Sequence, residues 1–425
     1  MPDGLNRRDF LRTAALAAGP AVISARGANE KINIGWIGVG IRGYAALDWL
    51  HTAAPDDVKI TAICDTCQIH MARAQQRMQD VWGAKAASYV DYHEMLADKS
   101  IDAVYIMTPE HLHHDMTIAA LAAGKHVYVE KPLAHNIAEG FEMVDAWKKS
   151  GKVVQVGTQN RSSSLYKKAK ELIGQGMIGD VHFVRAFWYR NSLQSEPAWR
   201  YEIPAGANPQ NTDWKRFLGN APMRPWDPHR YFQWRLYWDY SGGISTDLLV
   251  HQTDIVHYML GKTVPKMCMA SGGIYRWNAP DDDREVPDCF SAIFEYPGDL
   301  QINYSSYFGN DHYGYGEQLC GNEGTIEVMN RQDLYFSPET LKGKASKQVL
   351  SRERIHLNGK QDFGESDGAI NHFRNFIHAV QGKEEVIAPP TIGQEAAISG
   401  HLATISFRNH KQVFWNEATN QYRLS

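Results

Sequence analysis

The chain has 425 residues, of which 43% are hydrophobic and 22% charged, with a formal net charge of -4. That length exceeds one typical core and predicts two domains, and the composition carries no disordered or fibrous signature. A mildly acidic surface argues against nucleic acid or an anionic membrane as partner.

Arg7-Arg8 precede Asp9-Phe10-Leu11 and an apolar run from Ala14 to Ile23 that is too short to span a bilayer. This reads as a twin-arginine signal over residues 1–28. The expectation is an exported, periplasmic protein that meets the twin-arginine translocase and has no stable membrane anchor.

Ile32 to Val39 alternates and is rich in β-branched residues, so a strand is predicted there, closed by Gly38-x-Gly40-x-x-Gly43 and followed by a helix from Ala45 to Thr52. A turn of Gly38, Gly40, Ile41, Arg42 and Gly43 lets backbone approach a pyrophosphate closely, and the helix start offers N–H groups to it. A second strand, "VKITAICD", ends on Asp65, where a carboxylate can accept the ribose hydroxyls and repel a 2′-phosphate. NAD is therefore expected in preference to NADP. Cys64 and Cys67 form a lone C-x-x-C without a second pair, so neither a disulfide framework nor a zinc site is expected among the five cysteines.

Strands follow at "IDAVYIMTP", "HVYVEKP" and "VVQVGTQ", with helices at Met116–Ala123 and Ala138–Lys149. Strand and helix in alternation predict a doubly wound parallel sheet, an α/β Rossmann domain over residues 31–158. Ligands of such sheets sit at the carboxyl ends of strands. This points Thr108, Pro109, Glu130, Lys131 and Gln159 at one crevice. His111, His113 and His114 open a helix at its lip, and no metal site is expected from them.

From Val181 the pattern changes to strands of alternating or aromatic residues, which predicts an α+β domain over residues 159–425 with a large, mostly antiparallel open sheet. Six of the twelve tryptophans lie between Trp188 and Trp238, interleaved with arginines, a composition suited to sugar rings and their hydroxyls. Arg161, Trp188, Tyr189 and Trp238 are the substrate-binding candidates here. Gly242-Gly243 leads into a helix predicted over Ile244–Leu260, placing Asp247, His251, Asp254 and Tyr258 on one face. An imidazole one turn after a carboxylate can hold its tautomer and share a proton with a substrate oxygen. Helices at Ala369–Val380 and Gly393–Arg408 are expected to pack back across the domain junction.

Three stretches together resemble the Gfo/Idh/MocA oxidoreductases. They are the glycine turn, the run "TPEHLHHDMTIAALAAGKHVYVEKPLA" from Thr108 to Ala134, and "GGISTDLLVHQTD" from Gly242 to Asp254. The resemblance implies that Lys131, Asp247 and His251 are catalytic, that His113 touches nicotinamide or substrate, and that the second domain pairs subunits into a homodimer or homotetramer. Independently of it, oxidising a secondary alcohol needs a base beside the hydroxyl, and a strand-end lysine of lowered pKa suits that work.

The expected function is hydride transfer between nicotinamide and a secondary hydroxyl of a sugar or polyol. Export without a soluble cofactor pool further implies a tightly held nucleotide. Two alternatives use the same site: an NAD-dependent glycosidase acting by transient oxidation, elimination and re-reduction, and a catalytically idle sugar-binding protein.

Overall fold

The structure, a computed structural model, describes residues 31–280, 282–342, 347–349, 352–365 and 368–425. The expected twin-arginine leader lies outside the described residues.

Strands β1 (Ile32–Ile37), β2 (Val58–Cys64), β3 (Ala87–Tyr89), β4 (Ala103–Ile106), β5 (His126–Val129) and β6 (Val154–Val156) form a parallel sheet in the order β3-β2-β1-β4-β5-β6. The order reverses between β1 and β4, and a crevice opens there at the carboxyl ends of the strands. β4 is buried along its whole length, as a strand covered by helices on both faces must be. On one of those faces Trp36, Tyr105, Tyr128 and Phe373 stack in series at 4.8, 4.9 and 4.9 Å between ring centroids. Phe373 comes from the helix Ala369–Val380, so a C-terminal helix completes the core of the first sheet. Gln155 and His372 reinforce the docking: the amide donates to the His372 carbonyl at 2.7 Å.

The second sheet contains β7 (Val181–Asn191), β8 (Met267–Gly273), β9 (Cys289–Tyr296), β10 (Leu300–Tyr307), β11 (Gly309–Gly321), β12 (Gly324–Met329) and β13 (Asp333–Pro338). A hairpin of β14 (Thr340–Lys342) and β15 (Lys347–Val349) stands apart from it, while β16 (Ile355–Asn358), β17 (Val413–Asn416) and β18 (Gln421–Leu424) join its edges. The ten strands run in the order β16-β13-β12-β11-β7-β10-β9-β8-β17-β18. Only the central β7–β10 pair is parallel, so the sheet is mostly antiparallel as its alternating sequence requires. On β7, Val184, Ala186 and Trp188 face the helix-covered core, and Arg185, Phe187 and Tyr189 point to the opposite face.

Helix Pro390–Asn409 runs across the junction: Gln394 donates to the Ile137 carbonyl at 2.9 Å, and the His401 ring meets the Ala134 carbonyl at 3.2 Å. The helix expected over Ile244–Leu260 begins differently. Ser245–Leu249 is a π-helical turn, and the α-helix proper is Val250–Leu260. Helix Gln68–Trp82 and the short β3 have no counterpart among the predicted elements. No helix among the described residues is long and apolar enough to cross a membrane.

Candidate active site

The glycine turn shows why each glycine is needed. Gly38 has φ +90, and a Cβ there would meet the Met107 backbone at 2.9 Å. A Cβ on Gly43 would stand 2.0 Å from the Gly38 carbonyl oxygen, so this glycine is what allows the helix to sit on the loop. Gly40 differs: its Cβ would meet nothing closer than His70 at 4.0 Å, leaving the backbone open to a ligand. Helix Ile41–Ala53 starts there with no acidic residue in its first turn and no side-chain cap, so its N–H groups are available to a diphosphate. Asp65 follows β2 and is held by N–H donors from Val39 and Cys67, each at 2.8 Å. This cradle fits a dinucleotide.

The cradle opens into a cavity of about 390 Å³ that includes Gly38, Gly40, Ile41, Arg42, Asp65, Thr108, Pro109, Glu130, Lys131 and Gln159 from the first domain. Trp188, Asp247 and His251 close it from the second. A larger cleft, about 770 Å³, lies between the helices Ile137–Ser150 and Pro390–Asn409 and the β17–β18 hairpin. It holds none of the predicted site residues, and the chemistry belongs to the smaller cavity.

Within that cavity Lys131 Nζ donates to Asp247 Oδ1 at 3.0 Å and to the Asp247 carbonyl at 2.5 Å. Arg235 Nε donates to the same Oδ1 at 3.3 Å. Burial works against a charged Asp247, yet the Lys131 and Arg235 cations hold its carboxyl well below the usual range. For Lys131 burial dominates and lowers the ammonium's pKa, with Asp247 pulling the other way. His251 is pushed well below its ordinary value by burial and then by the Lys131 and Arg331 charges, so its ring is neutral. Its Nδ1 is buried without a hydrogen-bond partner. Arg42 binds Glu130 through Nε at 3.1 Å and also reaches Gln159, tying the glycine turn to the ends of β5 and β6.

Several predicted contacts are corrected. Asp247 pairs with Lys131 and Arg235, and among the described residues it makes no hydrogen bond to His251. Arg161 is buried outside the cavity, with Nε 2.8 and 3.0 Å from the two Asp254 carboxylate oxygens. Tyr189 points to the far face of the sheet, where its hydroxyl meets Ser305 Oγ at 2.6 Å. Trp238 packs on Phe407 at 6.2 Å, away from the cavity. His113 is buried with its ring nitrogens 2.8 Å from the Pro132 carbonyl and 3.0 Å from that of Thr108, so it braces the two strand-end loops instead of facing nicotinamide. His111 turns to the Phe217 carbonyl and His114 to Asp115 and Glu142, so the three histidines diverge.

Glu110 went unnoticed in the sequence. It is 2% exposed, and accepts from the Gly242 N–H at 2.7 Å and the Thr246 hydroxyl at 2.9 Å. It thereby anchors the turn before Asp247 to the cofactor domain. The double glycine explains itself alongside: a Cβ on Gly242 would stand 2.3 Å from Thr246 Cγ2, and Gly243 has φ +68. Arg190, Trp234, Arg235 and Arg331 also line the cavity. For Arg190, Trp234 and Arg235 the signal was the arginine-tryptophan interleaving, which does not say which members turn inward; for Arg331 the sequence carried none.

Residues 32–158 match the family described as "Oxidoreductase family, NAD-binding Rossmann fold", and residues 217–414 match its "C-terminal alpha/beta domain". Over 380 residues the chain is 34% identical to an inositol 2-dehydrogenase/D-chiro-inositol 3-dehydrogenase of Lactiplantibacillus plantarum, covering 88% of both chains. The chain belongs to the Gfo/Idh/MocA oxidoreductase family. A myo-inositol 2-dehydrogenase of Thermotoga maritima is another relative, 27% identical over 386 residues that span 90% of this chain and 98% of that one. Among solved structures, a levoglucosan dehydrogenase in complex with NADH and levoglucosan shares this Gfo/Idh/MocA fold with a TM-score of 0.67 at 20% identity, covering 93% of this chain and 99% of that one.

Proposed function

We propose that the chain is an NAD-dependent oxidoreductase that moves hydride between the cofactor and a secondary hydroxyl of a sugar or polyol. The observation that carries this reading is the convergence of Lys131, Asp247 and His251 in the cavity that the glycine turn opens into. When bound, the nicotinamide ring supplies the hydride acceptor. Lys131, hydrogen-bonded to Asp247, donates a hydrogen bond to the reacting oxygen and stabilises the charge that grows there. His251 is the neutral group in the cavity and takes the hydroxyl proton. The lowered pKa expected of Lys131 is present, and the base work goes to the imidazole in the same cavity.

Asp65 favours NAD, since a carboxylate beside the adenosine ribose repels a 2′-phosphate. The names of two relatives, both inositol dehydrogenases, support a polyol substrate. The twin-arginine pattern supports export of a folded, nucleotide-loaded protein to the periplasm, and the exposed face of the second sheet supports a homodimer or homotetramer. Incubation of the purified protein with a polyol and sugar panel, followed at the nicotinamide absorbance, tests the reaction. Reduction of NAD by at least one member is expected. Aglycone release from nitrophenyl glycosides without net reduction would select the elimination chemistry instead, and binding without any turnover would select an idle protein.

A further inference from the structure

Lys131, Arg190, Arg235 and Arg331 line the cavity together with the carboxylates of Asp247 and Glu202, and the Arg190 charge also acts on Asp247. Lys131 and Arg235 share Asp247. Arg190 and Arg331 line the same cavity, and neither forms an ion pair among the described residues. Nε and Nη2 of Arg331 are buried with no hydrogen-bond partner.

Both guanidinium groups are organised by one indole. Arg190 lies 5.3 Å and Arg331 5.1 Å from the Trp188 ring centre, and Arg331 also lies 5.5 Å from Tyr315. Trp188 is itself 5.9 Å from the His251 ring. A cation over a ring face spends no N–H donor on it, and the Arg331 Nε and Nη2 pair that this leaves unsatisfied is the fork that binds carboxylate or phosphate oxygens. Glu317, the buried carboxyl whose titration the Arg331 charge influences, is not a counter-ion: its Oε2 accepts from the Tyr166 hydroxyl at 2.8 Å, and it forms no ion pair.

The backbone places Arg331 at a cost. Asn330 and Arg331 have φ of 53 and 56, in a turn closed by the Gln332 N–H on the Met329 carbonyl at 2.9 Å. Two consecutive left-handed residues favour glycine, above all at the second position. A long cationic side chain is held there in the cavity wall, and strain of this kind persists where a side chain is used.

We propose that Arg331 and Arg190 recognise an acidic substituent, a carboxylate or a phosphate monoester, on the sugar or polyol whose hydroxyl faces His251. The inference rests on the oxidoreductase reading above and narrows its substrate class. Its test is steady-state kinetics with matched sets of neutral sugars or polyols, their uronates or aldonates, and their phosphate monoesters. Wild type is compared with Arg331→Gly, Arg331→Lys and Arg190→Gln. Arg331→Gly removes the fork and relieves the left-handed backbone together, so a melting temperature equal to or above wild type separates lost recognition from lost folding.

Wild-type kcat/KM is expected to be at least tenfold higher for one acidic class than for its neutral parents, and the carboxylate and phosphate arms identify which. Arg331→Gly should cut that ratio at least tenfold, mainly through KM, with partial recovery in Arg331→Lys. Equal or better turnover of neutral compounds by wild type, or equal losses on acidic and neutral compounds in Arg331→Gly, would overturn the inference. If nothing in any set is oxidised, the oxidoreductase reading fails on its own. Sugar acids or phosphates that raise the melting temperature of wild type but not of Arg331→Gly then support the acidic subsite, and no such shift overturns it.

Discussion

The ammonium of Lys131 stands 3.0 Å from Asp247 Oδ1, joining the end of β5 to the π-helical turn of the second domain. The pair couples the two domains in the cavity, with the Lys131 charge lowering the Asp247 pKa and Asp247 opposing the effect of burial on Lys131. Lys131→Met leaves Asp247 paired with Arg235 and removes the proposed donor to the reacting oxygen. We expect kcat to fall by about 10²- to 10⁴-fold with cofactor affinity retained. Single-turnover nicotinamide reduction together with cofactor titration checks this, and a loss confined to cofactor binding would contradict it.

Proton transfer through His251 has a signature in pH. Its pKa is lowered, so the neutral, accepting ring persists below the ordinary imidazole range. The acidic limb of kcat/KM for alcohol oxidation should therefore lie below pH 6.5, the unperturbed histidine value. His251→Asn should remove that limb along with about 10²-fold or more of the rate. A wild-type limb above pH 7 would point to another base.

Two glycines of one turn should fail in different ways. Gly43→Ala forces a Cβ to 2.0 Å from the Gly38 oxygen and should lower both the melting temperature and NAD binding. In Gly40→Ala the new methyl group has 4.0 Å of clearance within the protein, so the melting temperature should hold while NAD affinity drops roughly tenfold or more. Differential scanning fluorimetry with and without NAD reads both effects.

Arg161 and Asp254 form a buried ion pair at 2.8 Å outside the cavity. Arg161→Met alone leaves a buried carboxylate without its partner and should cost about 3 to 5 kcal/mol of stability. Arg161→Met combined with Asp254→Leu should recover most of that loss, with KM for the sugar or polyol unchanged. Chemical denaturation and kinetics on both variants decide the matter, and a raised KM in a stable double variant would return Arg161 to substrate binding.

Glu317 sets a pH dependence of stability. Burial pushes its carboxyl up to about 8 from an ordinary 4.5, against the Tyr166 hydrogen bond and the Arg331 charge. The folded state then binds the proton more tightly than the unfolded chain. This contribution is fully present below pH 4.5 and is lost as pH rises toward 8. Glu317→Gln, which keeps an acceptor for Tyr166, should flatten the fall in melting temperature between pH 6 and pH 9. A parallel fall in the variant would assign the dependence to other groups.

Much of this protein is legible in its sequence because the signals are local. Gly38, Gly40 and Gly43 are dictated by a turn within six residues, and alternating β-branched runs specify strands whose faces follow a period of two. Lys131 and Gln159 could be placed at one crevice because a doubly wound sheet sends every strand end to the same side. Asp247 and His251 were found by their family spacing. What they touch was not, because the partner of Asp247, Lys131, lies 116 residues away.

Side-chain direction in the second domain was decided by tertiary structure alone. Trp188 and Tyr189 are adjacent and equally aromatic, yet the pleat turns one into the cavity and the other to the far face. Arg161 and Arg331 are chemically identical, and packing buries one against Asp254 while a left-handed turn delivers the other to the cavity that His251 lines, with no ion pair among the described residues. Local chemistry thus determined the dinucleotide cradle and singled out Lys131, Asp247 and His251 as candidates for the reaction. Long-range packing determined which charges face the substrate, because a side chain's partners depend on segments that meet only when the two sheets are brought together.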